Sequence, residues 1–250
     1  MRRDCGTRSQ EKVLKMLSAP NYRLKRQAKL RSRDTGMPLH AALDEVARQE
    51  GFRNWSHLSQ ATPDNRGGTV FGGLVPGDVM LLGARPGQGK TLLGLEIAVA
   101  AARAGWEATF FTLDYTVGDI VRQMRSVGID PASLGTGFHL DTSDDICADY
   151  MIARLNKRPG RRLAVIDYLQ LLDQRRDRPV LHDQVRRLKS YLERTGSIAV
   201  AISQIGRDFD VGGKAMPDLS DLRLPNPVDL SCFTKSCFLH DGRIELSPVG

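Results

Sequence analysis

The fold is decided by residues 79–91, VMLLGARPGQGKT, where a short apolar run leads into a glycine-rich loop. Apolar runs of similar length recur further along the chain, at residues 108–113, 163–172 and 197–203. Helical segments lie between these runs, at residues 90–103 and from about residue 180 to residue 194. Uninterrupted apolar runs that alternate with helices are typical of strands buried on both faces of a parallel sheet. We therefore predict an α/β fold with a mostly parallel central sheet.

The loop after the first run has the composition of a phosphate-binding loop of the Walker A type. Gly87 and Gly89 allow the backbone to wrap around a phosphate, and the start of the following helix adds its positive dipole end. Lys90 can reach the β- and γ-phosphates, and the Thr91 hydroxyl can bind Mg²⁺. The pattern predicts an ATP site made of Ala84, Arg85, Pro86, Gly87, Gln88, Gly89, Lys90 and Thr91. A glycine-rich turn without a ligand is the alternative.

An acidic group for the metal ion is expected at the end of a later buried strand. Asp167 directly follows four apolar residues in the run LAVIDYLQ. Asp167 is predicted to hold Mg²⁺ through a water molecule, together with the Thr91 hydroxyl. The alternative is an aspartate that caps the turn after the strand.

Two further strand ends carry polar side chains that suit ATP hydrolysis. Asp114 ends ATFFTLD and is a candidate for the base that orients the attacking water; an N-cap for a helix that begins near Thr116 is the alternative. Gln204 follows SIAVAIS, where an amide can respond to the γ-phosphate and pass its state to the next loop. An ordinary polar loop residue is the alternative there. The predicted catalytic residues are therefore Lys90, Asp114 and Gln204.

Together these segments resemble the RecA-like ATPase core of the hexameric replicative DNA helicases, the DnaB-like proteins of superfamily 4. The matching segments are GGLVPGDVMLLGARPGQGKT at 72–91, FFTLDYTVGDIVRQM at 110–124, LAVIDYLQLL at 163–172, AISQIGRDFD at 201–210 and MPDLSDLR at 216–223. The resemblance implies a P-loop NTPase that binds ATP and Mg²⁺ and assembles as a homo-oligomeric ring on DNA. It also implies that Asp167 is the Walker B carboxylate, that Gln204 is the sensor, and that the loop with Arg207 lies towards a DNA channel.

The chain departs from the family's pattern at three places. The family usually has Glu where this chain has Asp114, whose side chain is one methylene shorter. It continues with an acidic stretch after LSDLR, where this chain has LPNPVDL. Its arginine finger comes from a late basic strand, whereas Lys235 and Arg243 are the only basic residues here after Arg223. Because a finger contributes ~10³–10⁵ in rate, its absence would leave a nucleotide binder or a slow ATPase.

The net charge of +7 is confined to the first quarter of the chain. Residues 1–60 hold 13 basic and 6 acidic side chains, whereas residues 61–250 hold 23 of each. We predict a basic helical module over residues 1–60, a turn-rich linker over 61–73 and the RecA-like ATPase domain over 74–250. The module stands where the family has its own N-terminal helical domain.

Three or four helices are expected in this module. Apolar residues recur at helical spacing around residues 13–17, 22–28 and 39–47, and again near Trp55. Pro38, Gly51 and Asn54 are placed as boundary residues of the later helices. Eleven basic residues between Arg2 and Arg33 predict a surface that follows a phosphate backbone without reading its sequence. A solvated helical face or a basic tail is the alternative.

Composition also limits the cellular setting. No apolar run approaches the ~18 residues of a membrane span, and the four cysteines are too scattered for a disulfide framework: Cys5, Cys147, Cys232 and Cys237. We therefore expect a reduced cytoplasmic protein that has no membrane partner. The basic module and the resemblance imply single-stranded DNA as its partner.

Three functions fit this sequence. The leading one is an ATP-dependent DNA helicase or DNA-translocating ATPase of the DnaB-like type. The second is a regulatory or recombination ATPase, similar to RecA or KaiC, that uses ATP without unwinding DNA. The third is a degenerate nucleotide-binding adaptor whose useful surface is the basic module.

Overall fold

The computed structural model describes residues 21–61, 66–127, 129–173, 178–223 and 228–249. The chain forms two compact units, Met1–Pro63 and Asp64–Gly250. The helix predicted around residues 13–17 lies outside the described residues. Within the described ranges, no helix combines the length and the apolar character needed to cross a membrane.

Helices and strands alternate along most of the second unit. The described α-helices are α1 Asn21–Thr35, α2 Leu39–Gln49, α3 Trp55–Ala61, α4 Arg66–Gly72, α5 Lys90–Arg103, α6 Val117–Ser126, α7 Ala148–Asn156, α8 Leu181–Thr195 and α9 Asp208–Val211. The described strands are β1 Val79–Ala84, β2 Glu107–Thr112, β3 Phe138–Asp141, β4 Arg162–Asp167, β5 Ile198–Gln204, β6 Lys235–His240 and β7 Arg243–Pro248. Every predicted apolar run contains a strand, and both predicted core helices are present as α5 and α8.

The strands form one sheet in the order β3-β2-β4-β5-β1-β6-β7. Neighbouring strands are parallel except for β6 and β7, which are antiparallel. The predicted α/β fold with a mostly parallel sheet is confirmed. The carboxyl ends of the parallel strands meet at one edge, called here the carboxyl edge. There Thr112 is in register with Asp167, and Ala84 with Gln204.

Both faces of the sheet are buried. Met80 and Leu82 of β1 pack in an apolar cluster with α5, whereas Val79 and Leu81 pack with α8 on the opposite face. Helix α5 approaches the strands closely, because a Cβ added at Gly94 would lie 2.7 Å from a methyl group of Ile202. This close packing fixes the start of α5 against the end of β1 and thereby positions the loop between them.

The described part of the N-terminal unit has its own apolar core. Its buried side chains are Leu24, Ala28, Ala42, Val46, Ala47, Phe52 and Leu58. Helix α2 begins directly after Pro38, and Gly51 follows its end with a φ of 80°. Asn54 Oδ1 accepts a hydrogen bond of 2.8 Å from the His57 N–H at the start of α3. The predicted boundaries of these two helices are therefore confirmed.

The prediction of a linker over residues 61–73 is wrong for residues 66–72, which form α4. Helix α4 packs against α5, and a Cβ at Gly67 would lie 2.3 Å from the backbone carbonyl carbon of Glu96. Arg66 also donates to Glu96 Oε1 at 2.7 Å, and Val70 is buried. Gly67 therefore permits a close contact between the two helices, although the glycine-rich composition of this segment suggests a turn.

The last two described strands form a hairpin. Strands β6 and β7 are joined by Asp241 and Gly242, whose φ angles are 45° and 80°. Left-handed conformations at both positions are typical of a two-residue hairpin turn. Because β6 runs parallel to β1 and Leu239 pairs with Ala84, this turn lies at the carboxyl edge, beside the glycine-rich loop.

Candidate nucleotide-binding site

The loop between β1 and α5 has the backbone shape needed to wrap an anion. Gly87 and Gly89 have φ angles of 79° and 89°, a region that other residues rarely adopt. Gly89 immediately precedes α5, and no described side chain caps the start of that helix. The first N–H groups of α5 are therefore open to a phosphate, which the helix dipole also favours.

Asp167 ends β4 at the carboxyl edge and is almost fully buried, with 2% of its surface exposed. The Thr91 hydroxyl lies beside this carboxylate. Its Oδ2 atom has no hydrogen-bond partner among the described residues. Burial raises the pKa of Asp167 to about 6, although Thr91 and the Lys90 ammonium both favour the charged form. An unpaired carboxylate oxygen beside a hydroxyl is a donor set that fits Mg²⁺.

Asp114 follows β2 at the same edge and is exposed. Partial burial raises its pKa, and the charge of Lys90 opposes that rise. The alternative role as an N-cap is wrong, because Thr116 caps α6. The Thr116 hydroxyl accepts from the Asp119 N–H, and the Asp119 carboxylate accepts from the Thr116 N–H. Asp114 lies close enough to Lys90 to feel its charge, and it does not cap α6. Its role as a base stays a prediction.

Gln204 ends β5 and is half-buried, between the ends of β4 and β1. Its carbonyl accepts a hydrogen bond of 2.8 Å from the Arg223 N–H, and Ile205 bridges to Leu222. The predicted sensor therefore lies at the carboxyl edge with the other predicted residues. Its role remains a prediction, as do those of Lys90, Thr91 and Asp167.

Two loop side chains are bound to neighbouring segments. The Arg85 guanidinium donates to the Asp210 carboxylate from Nε at 3.0 and 3.1 Å and from Nη2 at 2.7 Å. Its Nη1 donates to the Ile205 carbonyl at 3.0 Å. Gln88 donates to Asp241 Oδ1 at 3.4 Å and accepts from the Asp241 N–H at 3.2 Å. In this arrangement, a phosphate contact by Arg85 or Gln88 would come from the backbone.

Lys235 and Arg243 lie at opposite ends of the strands, Lys235 at the amino end of β6 and Arg243 at the carboxyl edge. Lys235 begins β6, and its ammonium pairs with Asp78 Oδ2 at 3.0 Å and donates to the Gly73 carbonyl. It is far from the carboxyl edge and unsuited to the role of a finger. Arg243 directly follows the hairpin turn and is exposed at the carboxyl edge.

Tyr168 and Gln170 also lie near this site, although neither is among the predicted site residues. Burial raises the pKa of the Tyr168 hydroxyl, and the charges of Asp114 and Asp167 raise it further. Gln170 donates to Ser203 Oγ at 2.8 Å and to the Arg223 carbonyl at 2.7 Å. The available signal was the family-matching segment LAVIDYLQLL, in which both residues come shortly after Asp167.

Comparison with known proteins identifies the family. A family model described as "ATPase: KaiC" matches residues 42–216, which is more than half of the chain. The chain belongs to this KaiC ATPase family. The matched region contains the glycine-rich loop, Asp114, Asp167 and Gln204. The predicted DnaB-like, RecA-type ATPase domain is confirmed by this match and by the relatives described next.

Relatives of this KaiC-family chain include a replicative DNA helicase and a DNA repair protein. The replicative DNA helicase DnaB of Leifsonia xyli subsp. xyli is 28% identical over 188 residues, covering 63% of this chain and 41% of that protein. The DNA repair protein RadA of Brucella abortus is 26% identical over 148 residues, covering 57% and 31%. A solved DnaB-like replicative helicase, described with its interactions with primase, matches with a TM-score of 0.51 and 20% identity over 65% of this chain and 47% of that one. The chain thus matches less than half the length of each of these proteins, and the structural match shows the fold alone.

Proposed function

We propose that this KaiC-family ATPase binds ATP with Mg²⁺ at the carboxyl edge and uses hydrolysis to move along single-stranded DNA. In this role it would act as a DnaB-like helicase or DNA-translocating ATPase. The observation that carries the ATP site is the unpaired, buried Oδ2 of Asp167 beside Thr91 and Lys90. A buried carboxylate oxygen without a partner is costly, so a bound metal ion would complete this arrangement.

Each predicted residue has a distinct task in this proposal. The loop N–H groups and Lys90 hold the β- and γ-phosphates, while Thr91 and Asp167 hold the metal ion. When bound, Mg²⁺ neutralises charge on the phosphates as the γ-phosphoryl group leaves. Asp114 orients the attacking water and receives its proton, and Gln204 lies where it can contact the γ-phosphate.

DNA would bind through the basic module and through loops at the carboxyl edge. Helix α1 buries Leu24 and Ala28 and exposes Arg26, Lys29 and Arg33 on the opposite side. Basic residues one helical turn apart are ~6 Å from each other along the axis, which suits contact with successive phosphates. Binding of this kind is insensitive to sequence and weakens steeply with salt.

A ring would supply a charge to each ATP site from the neighbouring subunit. Lys235 is committed to Asp78, so Arg243 is the remaining basic residue after Arg223 that can serve. Arg243 is exposed beside the hairpin turn, on the edge of the sheet that carries the ATP loop. We therefore propose a homo-oligomeric ring in which Arg243 reaches the adjacent site.

ATP hydrolysis measured with and without single-stranded DNA tests the proposal. DNA-stimulated turnover, together with assembly of the chain in sedimentation with ATP, supports a translocating ATPase. A protein that stays monomeric with ATP and DNA contradicts it. DNA-independent turnover favours the second candidate, a KaiC- or RecA-like regulatory or recombination ATPase, which the family match and the RadA relative support. Nucleotide binding without turnover favours a DNA-binding adaptor.

A further inference from the structure

We propose that Arg85 and Asp210 couple the phosphate-binding loop to the segment formed by residues 205–223. This inference rests on the proposed function, because it concerns how the occupied ATP site is sensed. In it Arg85 and Asp210 are positioning residues, and their ion pair carries movements of the loop to helix α9.

The geometry of the pair suits mechanical coupling. Arg85 joins Asp210 through Nε and Nη2, and its Nη1 donates to the Ile205 carbonyl, so the guanidinium is oriented on both sides. The two residues are 125 positions apart in the chain. Bidentate arginine–carboxylate pairs add geometric specificity to their energy. A shift of the loop on phosphate binding would therefore displace Asp210 with it.

A second set of contacts connects α9 to the β6–β7 hairpin and the hairpin to the phosphate-binding loop. The rings of Phe209 and His240 meet edge to face, with centroids 4.9 Å apart. Phe209 also shares a buried cluster with Phe238 of β6. The hairpin turn then returns to the loop through the two hydrogen bonds between Asp241 and Gln88. Helix α9 and the hairpin thus contact the loop and also contact each other.

The coupled segment is closed at its far end as well. The Gly206 N–H donates to the Asp221 carbonyl at 2.7 Å, and the Arg223 N–H donates to the Gln204 carbonyl at 2.8 Å. Lys214 bridges within it, to Asp221 Oδ2 at 3.0 Å and to Asp218. The segment is therefore a compact unit whose response can reach its exposed side chains, including Arg207.

The test uses the full chain with Asp210→Asn, which removes the charge and keeps the size. Hydrogen exchange of residues 205–223 is measured with and without Mg²⁺ and a non-hydrolysable ATP analogue. The control is Asp149→Asn, because Asp149 pairs with Arg187 at 2.6 Å and its side chain has the same exposed fraction as Asp210, 52%. Asp210→Glu retains a carboxylate and serves as the rescue variant.

We expect the analogue to slow exchange in residues 205–223 of the unmodified protein. Asp210→Asn should reduce that change by about two- to fivefold, the range expected for a partly exposed ion pair. Asp210→Glu should restore much of the change, and Asp149→Asn should leave it intact. The double variant Arg85→Gln with Asp210→Asn should lose no more than the larger single effect.

Two results would overturn the coupling. The first is an analogue that binds the unmodified chain without altering exchange in residues 205–223. The second is an equal change in the unmodified chain and in Asp210→Asn. Both would leave the proposed ATP site standing. Failure of the unmodified chain to bind the analogue would overturn the ATP site and the coupling together.

Discussion

The two units of the chain differ in charge and in how their helices are used. Helix α5 of the second unit has nine buried positions among its 14 residues and lies between the sheet and α4. Helix α1 of the first unit buries Leu24 and Ala28 and exposes a basic side. All of the surplus charge lies before residue 61. In the proposed function, a few buried groups in fixed positions provide the chemistry, whereas exposed charge provides long-range attraction that salt can screen.

The largest effect should come from Lys90→Ala, which acts on the second unit alone. Loss of the ammonium should lower ATP turnover by at least ~100-fold, since it removes charge stabilisation at the phosphates. DNA affinity without nucleotide should change by less than about twofold, because exposed charge elsewhere dominates binding. A coupled-enzyme assay and fluorescence anisotropy with a labelled single strand measure the two.

Arg103→Ala is the matched control for Lys90→Ala, since Arg103 is an exposed cation at the far end of the same helix. It should leave turnover unchanged. Unchanged turnover in Lys90→Ala would contradict the assignment of the ATP site. A large loss of DNA affinity in this variant would contradict the assignment of ATP binding and DNA binding to different units.

Asp167→Asn should stabilise the nucleotide-free chain at about pH 8 and have little effect at about pH 4. The pKa of Asp167 is raised from 3.8 to about 6 on folding, so the folded state holds the proton more tightly. The stability from this group is present below the unfolded pKa and is lost as pH rises from about 4 to about 6. The full shift corresponds to roughly 3 kcal/mol in the free energy of unfolding, which asparagine would recover at high pH.

Urea denaturation of both proteins across this pH range measures the effect. Asp144→Asn, an exposed carboxylate, is the control and should show no such pH-dependent gain. The same Asp167→Asn substitution should abolish Mg²⁺-dependent turnover. A destabilised variant at high pH would show that Asp167 supports the fold and does not strain it.

A smaller effect is expected from Asp114→Glu. The longer side chain should raise turnover by about tenfold if Asp114 is a shortened catalytic base, since a misplacement of ~1 Å is costly in catalysis. Asp114→Asn should lower turnover, because it removes the base. Steady-state ATPase assays decide the matter, and an unchanged or lower rate in the glutamate variant would count against this role.

An effect of similar size is expected from the exposed charge of α1. Replacing Arg26, Lys29 and Arg33 together by Gln should weaken single-strand binding by roughly tenfold at ~0.1 M salt and flatten the salt slope by about 2. ATP binding should be unaffected. Removing residues 1–60 should also weaken DNA binding and flatten the salt slope, with a larger loss of DNA affinity and no effect on ATP binding. A salt titration of the binding constant measures both.

The control replaces three exposed cations of the second unit by Gln: Arg103, Arg125 and Lys157. It removes the same formal charge and should change the salt slope far less. Equal slopes in the two triple variants would mean that total charge, and not its place in the chain, governs DNA binding.

The sequence was most informative where strands are buried on both faces. Such strands are written as continuous apolar runs, so β1, β2, β4 and β5 could be predicted. Strand β3 was missed because it has four residues at the sheet border, and its His139 bonds to Glu107 at 2.8 Å. Helix α4 was missed because Gly67 reads as a turn residue until its contact with Glu96 is known.

Predicting the site depended on the same rule. Groups that follow buried parallel strands meet at one edge, so Asp114, Asp167 and Gln204 could be placed near the loop. The pairing of Lys235 with Asp78 could not be foreseen, because parallel register joins residues that are distant in sequence. The cap at Thr116 could have been recognised, since Thr116 and Asp119 have the spacing of a capping box.

The ion pair between Arg85 and Asp210 has a consequence for inheritance and for protein engineering. A phosphate-binding loop grafted from a relative with another residue at position 85 would leave the carboxylate of residue 210 without its cation. Related sequences should therefore change the two positions together, and chimeras should be designed with both from one parent. The unit of exchange in this fold is the loop together with α9, although more than a hundred residues separate them.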